Sequence, residues 1–250
     1  MSDACGNNEN EPMIREHFEA GQTAVTIITE PEYVKIAKDA IFDARSQIES
    51  KVSEDPFFKT TYEAYEASKN DGIVVKRMCS ASLKASVGPM AAVAGAIAEY
   101  AVEKMVAAGS KYAVIDNGGD IALFTDREAI IGMYADVNGK RLSLRIPKTE
   151  RIVGICSSSA SVGPSVSLGG TDISTVVSDD VALADACATF LGNLVKGNDD
   201  LTVSLETVCE IEGVTGCLSY CNGKMAMCGD IPELVTSEAN DDLITKIRYG

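Results

Sequence analysis

An α/β fold with long buried helices is predicted by three observations. Residues 111–157 carry five β-branched, alternating segments punctuated by Gly and Asn. Two helical stretches, residues 90–98 and 181–192, hold at most one charge each, as helices enclosed by other structure do. At 250 residues the chain is long enough to close one substantial core.

The elements follow in order. Residues 1–12 are polar and read as a disordered tail, leaving 13–250 as a single domain. Residues 22–29 are β-branched and read as a strand. Pro31 opens a helix to residue 52, with apolar positions at Val34, Ala37, Ile41, Ala44 and Ile48. Asp55-Pro56 ends it, a short helical or irregular piece covers 57–67, and 72–79 reads as a strand. Pro89 starts a long helix that Gly109 stops. Strands are expected at 111–116, 121–125, 129–136, 141–146 and 152–157, with Asn138-Gly139 as a hairpin turn. A strand at 173–177 precedes a second buried helix at 181–191, with Gly192 after it. The tail offers a hairpin at Asn222-Gly223 and a short helix at 241–248.

Composition narrows the function. A net charge of −15 repels nucleic acid and anionic lipid, so neither is expected as a partner. The first ten residues lack the basic start and apolar run of a secretory signal, and no stretch approaches the ~18 apolar residues of a spanning helix. The 8 cysteines contain no CxxC pair, so a structural zinc knuckle is not expected. Reduced thiols in a cytoplasmic protein fit best. Counting outward from Asn222-Gly223 sets Cys217 opposite Cys228 in a hydrogen-bonded pair. Two reduced thiols are preferred there to a disulfide.

Several chemistries lack their residues. His17 is the only histidine, sits near the N-terminus and reads as a surface residue. Walker A, GxGxxG, HExxH and GxSxG motifs are missing from the sequence. The strongest positive signal is Ala184-Asp185-Ala186-Cys187-Ala188-Thr189, where Asp185 is the only charge over residues 181–192. Asp185 and Thr189 share the helix face opposite the stripe of Leu183, Cys187, Phe190, Leu191 and Leu194. A covered carboxylate is paired, protonated or bound to a cation, and Asp with Thr supplies hard oxygen ligands suited to Mg²⁺. Equally, Asp185 can hydrogen-bond a nearby loop. Asp116-Asn117-Gly118-Gly119-Asp120 reads as a tight turn between strands. Its glycines also let backbone amides approach a ligand, with Asp120 placed to hold a ribose or orient a ring. Residues 156–170 form an uncharged loop of small residues, including Ser157 and Ser158, that either drapes over a ligand or is simply flexible. Ala-Ser-Val-Gly-Pro occurs at 85–89 and again at 160–164, by chance or by an old duplication.

These segments together resemble an uncharacterised ApbE-like family of prokaryotic cytosolic proteins. The likeness runs through Ile73–Lys76, Val87-Gly88-Pro89-Met90-Ala91-Ala92-Val93-Ala94-Gly95-Ala96-Ile97-Ala98-Glu99, Asn117–Ile121, Gly213–Gly216 and Gly229–Leu234. A more distant likeness is to the ApbE flavin transferases, whose Gly-Ala-Ile-Ala segment, Gly-Gly-Asp loop and Ala-Asp-x-x-x-Thr helix resemble Gly95–Ala98, Gly118–Asp120 and Ala184–Thr189. The resemblance implies a T-fold-like architecture with an antiparallel or mixed sheet. It implies Mg²⁺ on Asp185, Thr189 and the carbonyl of Ala96. It also implies a flavin nucleotide, FAD, whose binding residues would be Gly88, Gly95, Asn117, Gly118, Gly119, Asp120, Ser157 and Ser158. A small-molecule ligand is the implied partner, with a protein acceptor and a homo-oligomer both compatible. Two positions depart from the flavin transferases. Glu99-Tyr100 stands where they have Lys-Gly, and residues 131–156 lack the His-x-x-Asp-Pro segment whose histidine is implicated in transfer. The readings left are Mg²⁺-dependent chemistry on a phosphate-containing molecule, with FAD as a candidate, a non-catalytic flavin or metabolite binder that assists cofactor assembly, or a purely structural role that needs no pocket and would leave the face over Asp185 filled.

Overall fold

The computed structural model describes residues 13–137, 140–159 and 171–237. Eleven strands and six α-helices lie among these residues. The strands are β1 (Ile14–Ala20), β2 (Thr23–Thr29), β3 (Tyr112–Asn117), β4 (Asp120–Thr125), β5 (Ala129–Val137), β6 (Lys140–Ile146), β7 (Val153–Ser158), β8 (Ile173–Ser178), β9 (Val214–Cys221), β10 (Lys224–Gly229) and β11 (Glu233–Ser237). The helices are α1 (Val34–Glu54), α2 (Phe57–Thr60), α3 (Ile73–Ala85), α4 (Val93–Ala107), α5 (Val181–Leu194) and α6 (Leu201–Cys209).

Eight strands form one sheet in the order β1-β2-β3-β4-β7-β8-β9-β10, and three form a second in the order β11-β6-β5. Every ladder is antiparallel. Side chains alternate across a strand, and here both faces of the large sheet are covered. Ala113, Ile115, Ala122, Cys156 and Val176 pack under the helices. Val114, Ile121, Leu123, Ile155 and Val177 face the small sheet, against Leu142, Leu144 and Ile146. The result is a helix layer, a large sheet and a small sheet. Helix α4 crosses β3 and β4, and α5 crosses β7 and β8, so the two nearly uncharged helices lie side by side over the middle of the sheet. Their lack of charge follows from that position.

Most elements lie where the sequence puts them, within a residue or two at the ends. Residues 31–33 and 89–92 are 3₁₀ turns leading into α1 and α4, each with Pro at an early position. Gly109 ends α4 at φ 111°. Asn222 and Gly223, at φ 48° and 79°, make the expected two-residue turn, and Cys217 does pair with Cys228. All seven described cysteines are free thiols.

One expectation is overturned. Residues 72–79 are not a strand but belong to α3. The β-branched run Ile73-Val74-Val75 suggested extended chain. However, the buried residues Val74, Val75, Met78, Cys79, Ala81, Ser82 and Ala85 recur at helical spacing and pack on α1, α4 and α5. Tertiary burial of that stripe outweighs the weak local preference. Helix α5 also runs through Gly192 instead of stopping before it. The sequence reading omitted β1, α6 and β11. The Asn138-Gly139 turn, the second Ala-Ser-Val-Gly-Pro segment, the helix expected at 241–248 and the polar tail at 1–12 lie outside the described residues. Among the described residues, no single helix is long and apolar enough to cross a membrane.

Candidate functional site

The turn between β3 and β4 is tight because Gly118 and Gly119 both take positive φ, 72° and 105°. Gly119 donates its N–H to Oδ1 of Asp116 at 2.9 Å. A side chain on Gly118 would meet nothing within 4 Å, so the turn's outer surface is open. Asn117 and Asp120 are the closing pair. Strand alternation turns both toward the helix layer, with Ile115 and Ala122. Asn117 is buried and its Nδ2 donates to the carbonyl of Ala94 at 3.1 Å, which brings the turn to the start of α4.

Strand β7 lies next to β4, with Cys156 opposite Asp120. Cys156 and Ser158 share the helix-facing side, where the Cys156 thiol lies 3.6 Å from the carbonyl of Val181. Ser157 faces the small sheet, its Oγ 2.8 Å from Oγ1 of Thr175. Its contribution on the helix side is its backbone amide, which favours the charged form of Asp120.

Helix α5 is capped by Asp180, whose Oδ1 accepts the N–H of Leu183 at 2.9 Å. One turn further on, Asp185 is buried at 7% exposure. Its Oδ2 accepts the N–H of Gly95 at 2.8 Å. Only glycine fits at position 95, because a Cβ there would lie 2.6 Å from the carbonyl oxygen of Val181 and 2.8 Å from Cβ of Asp185. Burial pushes Asp185 up to about 7, against the opposing pull of the Gly95 and Ala94 amides. Asp120 is raised well above the ordinary aspartate range, first by burial and then by the charges of Asp185 and Asp116. Its Oδ1 is enclosed and without a hydrogen-bond partner. No lysine, arginine or histidine forms an ion pair with either acid among the described residues. An enclosed carboxylate that feels the charge of a second buried one is stable only when a proton or a cation neutralises the charge.

The other sequence candidates fall as follows. Thr189 is half-buried one helical turn beyond Asp185. Ala96 is fully buried in the first turn of α4, where the helix ladder uses one lone pair of its carbonyl and leaves the second. Gly88 stands apart, at the corner where the chain bends by 110° between α3 and the helix that follows. A Cβ there would lie 2.1 Å from the carbonyl oxygen of Thr61, so packing explains this glycine. The site also includes Cys156 and the Ala94 amide, which the sequence reading did not single out; the period-2 pattern of β7 was the available signal for Cys156. No group of three or more His, Cys, Asp or Glu side chains is arranged to hold a metal among the described residues. His17 lies on the edge strand β1, where its Nε2 is 3.0 Å from Oε1 of Glu19, and β2, β3 and β4 separate it from β7.

The helix layer over a large antiparallel sheet backed by a small one has the fold of the flavin transferases. It resembles the flavin transferase ApbE from Vibrio cholerae with a TM-score of 0.56 at 13% identity, covering 87% of this chain and 97% of the other. It resembles the ApbE protein from Thermotoga maritima with a TM-score of 0.57 at 12% identity, covering 94% and 100%. The chain belongs to the family described as AbpE bacteria, matched over residues 7–215. It is 44% identical over 230 residues to a UPF0280 protein of Methanocella arvoryzae, covering 92% of this chain and 94% of the relative. It is 47% identical over 237 residues to a UPF0280 protein of Methanothrix thermoacetophila, covering 94% and 100%.

Proposed function

We propose that the chain binds a phosphate-containing small molecule, with FAD as the first candidate, together with Mg²⁺, at the start of α4. The observation that carries this reading is the partnerless, enclosed Oδ1 of Asp120 beside the buried Asp185. The fold shared with flavin transferases supports the flavin as ligand. Asp120, Asp185 and Thr189 offer only hard oxygen atoms, which fits Mg²⁺, with waters and ligand phosphates completing its shell. When bound, Mg²⁺ would neutralise charge that builds on a pyrophosphate oxygen as its bond breaks.

The chain's own groups divide the remaining tasks. Asp185 and Asp120, both held above the ordinary aspartate range, would give up their protons as a cation binds. The Gly95 amide orients the Asp185 carboxylate. The open Gly118-Gly119 turn brings backbone close to the ligand without side chains in the way. The Ser158 hydroxyl, on the same face as Cys156, would donate to a phosphate oxygen. A second reading, a binder that assists cofactor assembly without catalysis, is favoured by the position of His17 on the far edge of the sheet, which leaves the site without a histidine.

Calorimetric titration of the metal-free protein with FAD, in Mg²⁺ and in EDTA, tests the proposal. Mg²⁺-dependent binding is expected, weakened at least about tenfold in Asp185→Asn, equal to about 1.4 kcal/mol. Binding that ignores Mg²⁺, or no binding at all, refutes it. Release of AMP from FAD in the presence of a candidate acceptor protein separates transferase from binder.

A further inference from the structure

Three cysteines from three elements meet on the helix side of the sheet, at its β10 edge. Cys209 ends α6, and Cys217 and Cys228 are cross-strand neighbours on β9 and β10. The sulfurs of Cys209 and Cys217 are 3.4 Å apart. The Cys228 side chain is near enough to the Cys209 thiol to add to the upward shift that burial gives it. Cys217 is buried, whereas Cys209 and Cys228 are partly exposed. The neighbouring residues keep this cluster tight. A Cβ on Gly229 would lie 2.6 Å from the Thr215 carbonyl oxygen and 3.2 Å from Sγ of Cys209, and one on Gly216 would lie 2.6 Å from the Asp230 carbonyl oxygen. Glycine at both positions lets β9, β10 and the end of α6 close around the sulfurs.

We propose that this cluster is a redox modification site, in which Cys209 and Cys217 form a reversible disulfide. The choice of pair follows from geometry. Closing a 3.4 Å sulfur contact to a bond needs a movement of little more than an ångström. Cys217 and Cys228 occupy a hydrogen-bonded cross-strand position, where side chains stand further apart than at the alternate position. The oxidant is a low-molecular-weight disulfide. The Cys209 thiolate attacks one of its sulfurs, forming a mixed disulfide and releasing one small thiolate. Cys217 then gives up its proton and attacks the Cys209 sulfur, expelling the second small thiolate. The two cysteine thiols lose two electrons, the small disulfide gains them, and the two protons end on the small thiols. Burial raises both Cys209 and Cys217 above the ordinary thiol range, so exchange is slow at neutral pH and is measured at equilibrium.

The full-length protein would be equilibrated anaerobically with graded ratios of oxidised to reduced glutathione, alkylated, digested and mapped by mass spectrometry. The expected result is one Cys209–Cys217 linkage, loss of two hydrogens in mass, and reversal by excess reduced glutathione. Cys228→Ser keeps the linkage, and Cys209→Ser abolishes it. Three alkylated thiols across the whole series, a linkage that includes Cys228, or a persistent glutathione adduct overturns the proposal. The map of the unmutated chain decides the matter even where a variant folds poorly.

Discussion

The Asp185 carboxylate accepts the backbone N–H of Gly95 at 2.8 Å, so the acid of the candidate site also fastens α5 to the start of α4. Both helices approach closely because residue 95 has no side chain. Gly95→Ala therefore collides with the Val181 carbonyl and with the Cβ of Asp185. It is expected to destabilise the fold by about 1–3 kcal/mol, read from the denaturant midpoint. It should also weaken Mg²⁺ binding, because Asp185 loses the amide that orients it. A variant as stable as the parent would mean the helix pair has room that the structure lacks.

Acid titration gives the second expectation. Asp185 titrates at about 7 in the folded chain against an ordinary 3.8, and Asp120 shifts the same way. The folded chain thus holds these protons to higher pH than the unfolded chain. Stability from these groups is full below the unfolded value and is lost as pH rises through the folded one. Glu99 adds the same sign: burial raises it to about 7 against the pull of Arg77. Metal-free protein should melt at lower temperature at about pH 8 than at about pH 5. Mg²⁺ should restore stability at the higher pH and do little at the lower, where protons occupy the acids. Glu99→Gln removes the Glu99 share and leaves the Mg²⁺-dependent part. Equal stabilisation by Mg²⁺ at both pH values would contradict the two-acid site.

Gly88 provides a contrast with Gly95. Its missing side chain clears the carbonyl of Thr61, at the bend between α3 and the turn before α4. Gly88→Ala should cost at least about 1–3 kcal/mol, yet leave FAD and Mg²⁺ affinity of the folded fraction unchanged. Loss of affinity in well-folded protein would return Gly88 to the ligand site.

What the sequence disclosed follows the range of the forces involved. The Asn117–Asp120 turn was legible because two adjacent glycines carry their backbone preference with them. The enclosure of Asp185 was legible because its helix lacks any other charge. Helix α3 was misread because Ile73-Val74-Val75 speaks locally for a strand, while the contacts that make it a helix come from α1, α4 and α5. Helix α6 went unread because it is short, and Asp200 at its start makes no side-chain cap. The meeting of Asp120 with Asp185 was not legible at all. It depends on β4 pairing with β7 and on α5 lying across β7, relationships between residues far apart in the chain.

Asp120 separates stability from function most sharply. Its carboxylate is enclosed, pressed by the charges of Asp185 and Asp116, and one oxygen lacks a partner. A group in that condition destabilises the ligand-free fold wherever it is charged, and a cation relieves it. Asp120→Asn removes the charge at nearly the same size and supplies an N–H donor to face Asp185. The ligand-free variant should be more stable than the parent at about pH 8, by about 1.5–3 kcal/mol, the range for a hydrogen bond to a charged group. Its Mg²⁺ affinity should fall at least about tenfold. Stability gained while binding is lost is the pattern of a residue kept for its ligand and not for the fold. Paired chemical melts and Mg²⁺ titrations of parent and variant measure both quantities. If the ligand-free variant is instead less stable at that pH, Asp120 serves the fold and the cation site loses one of its two acids.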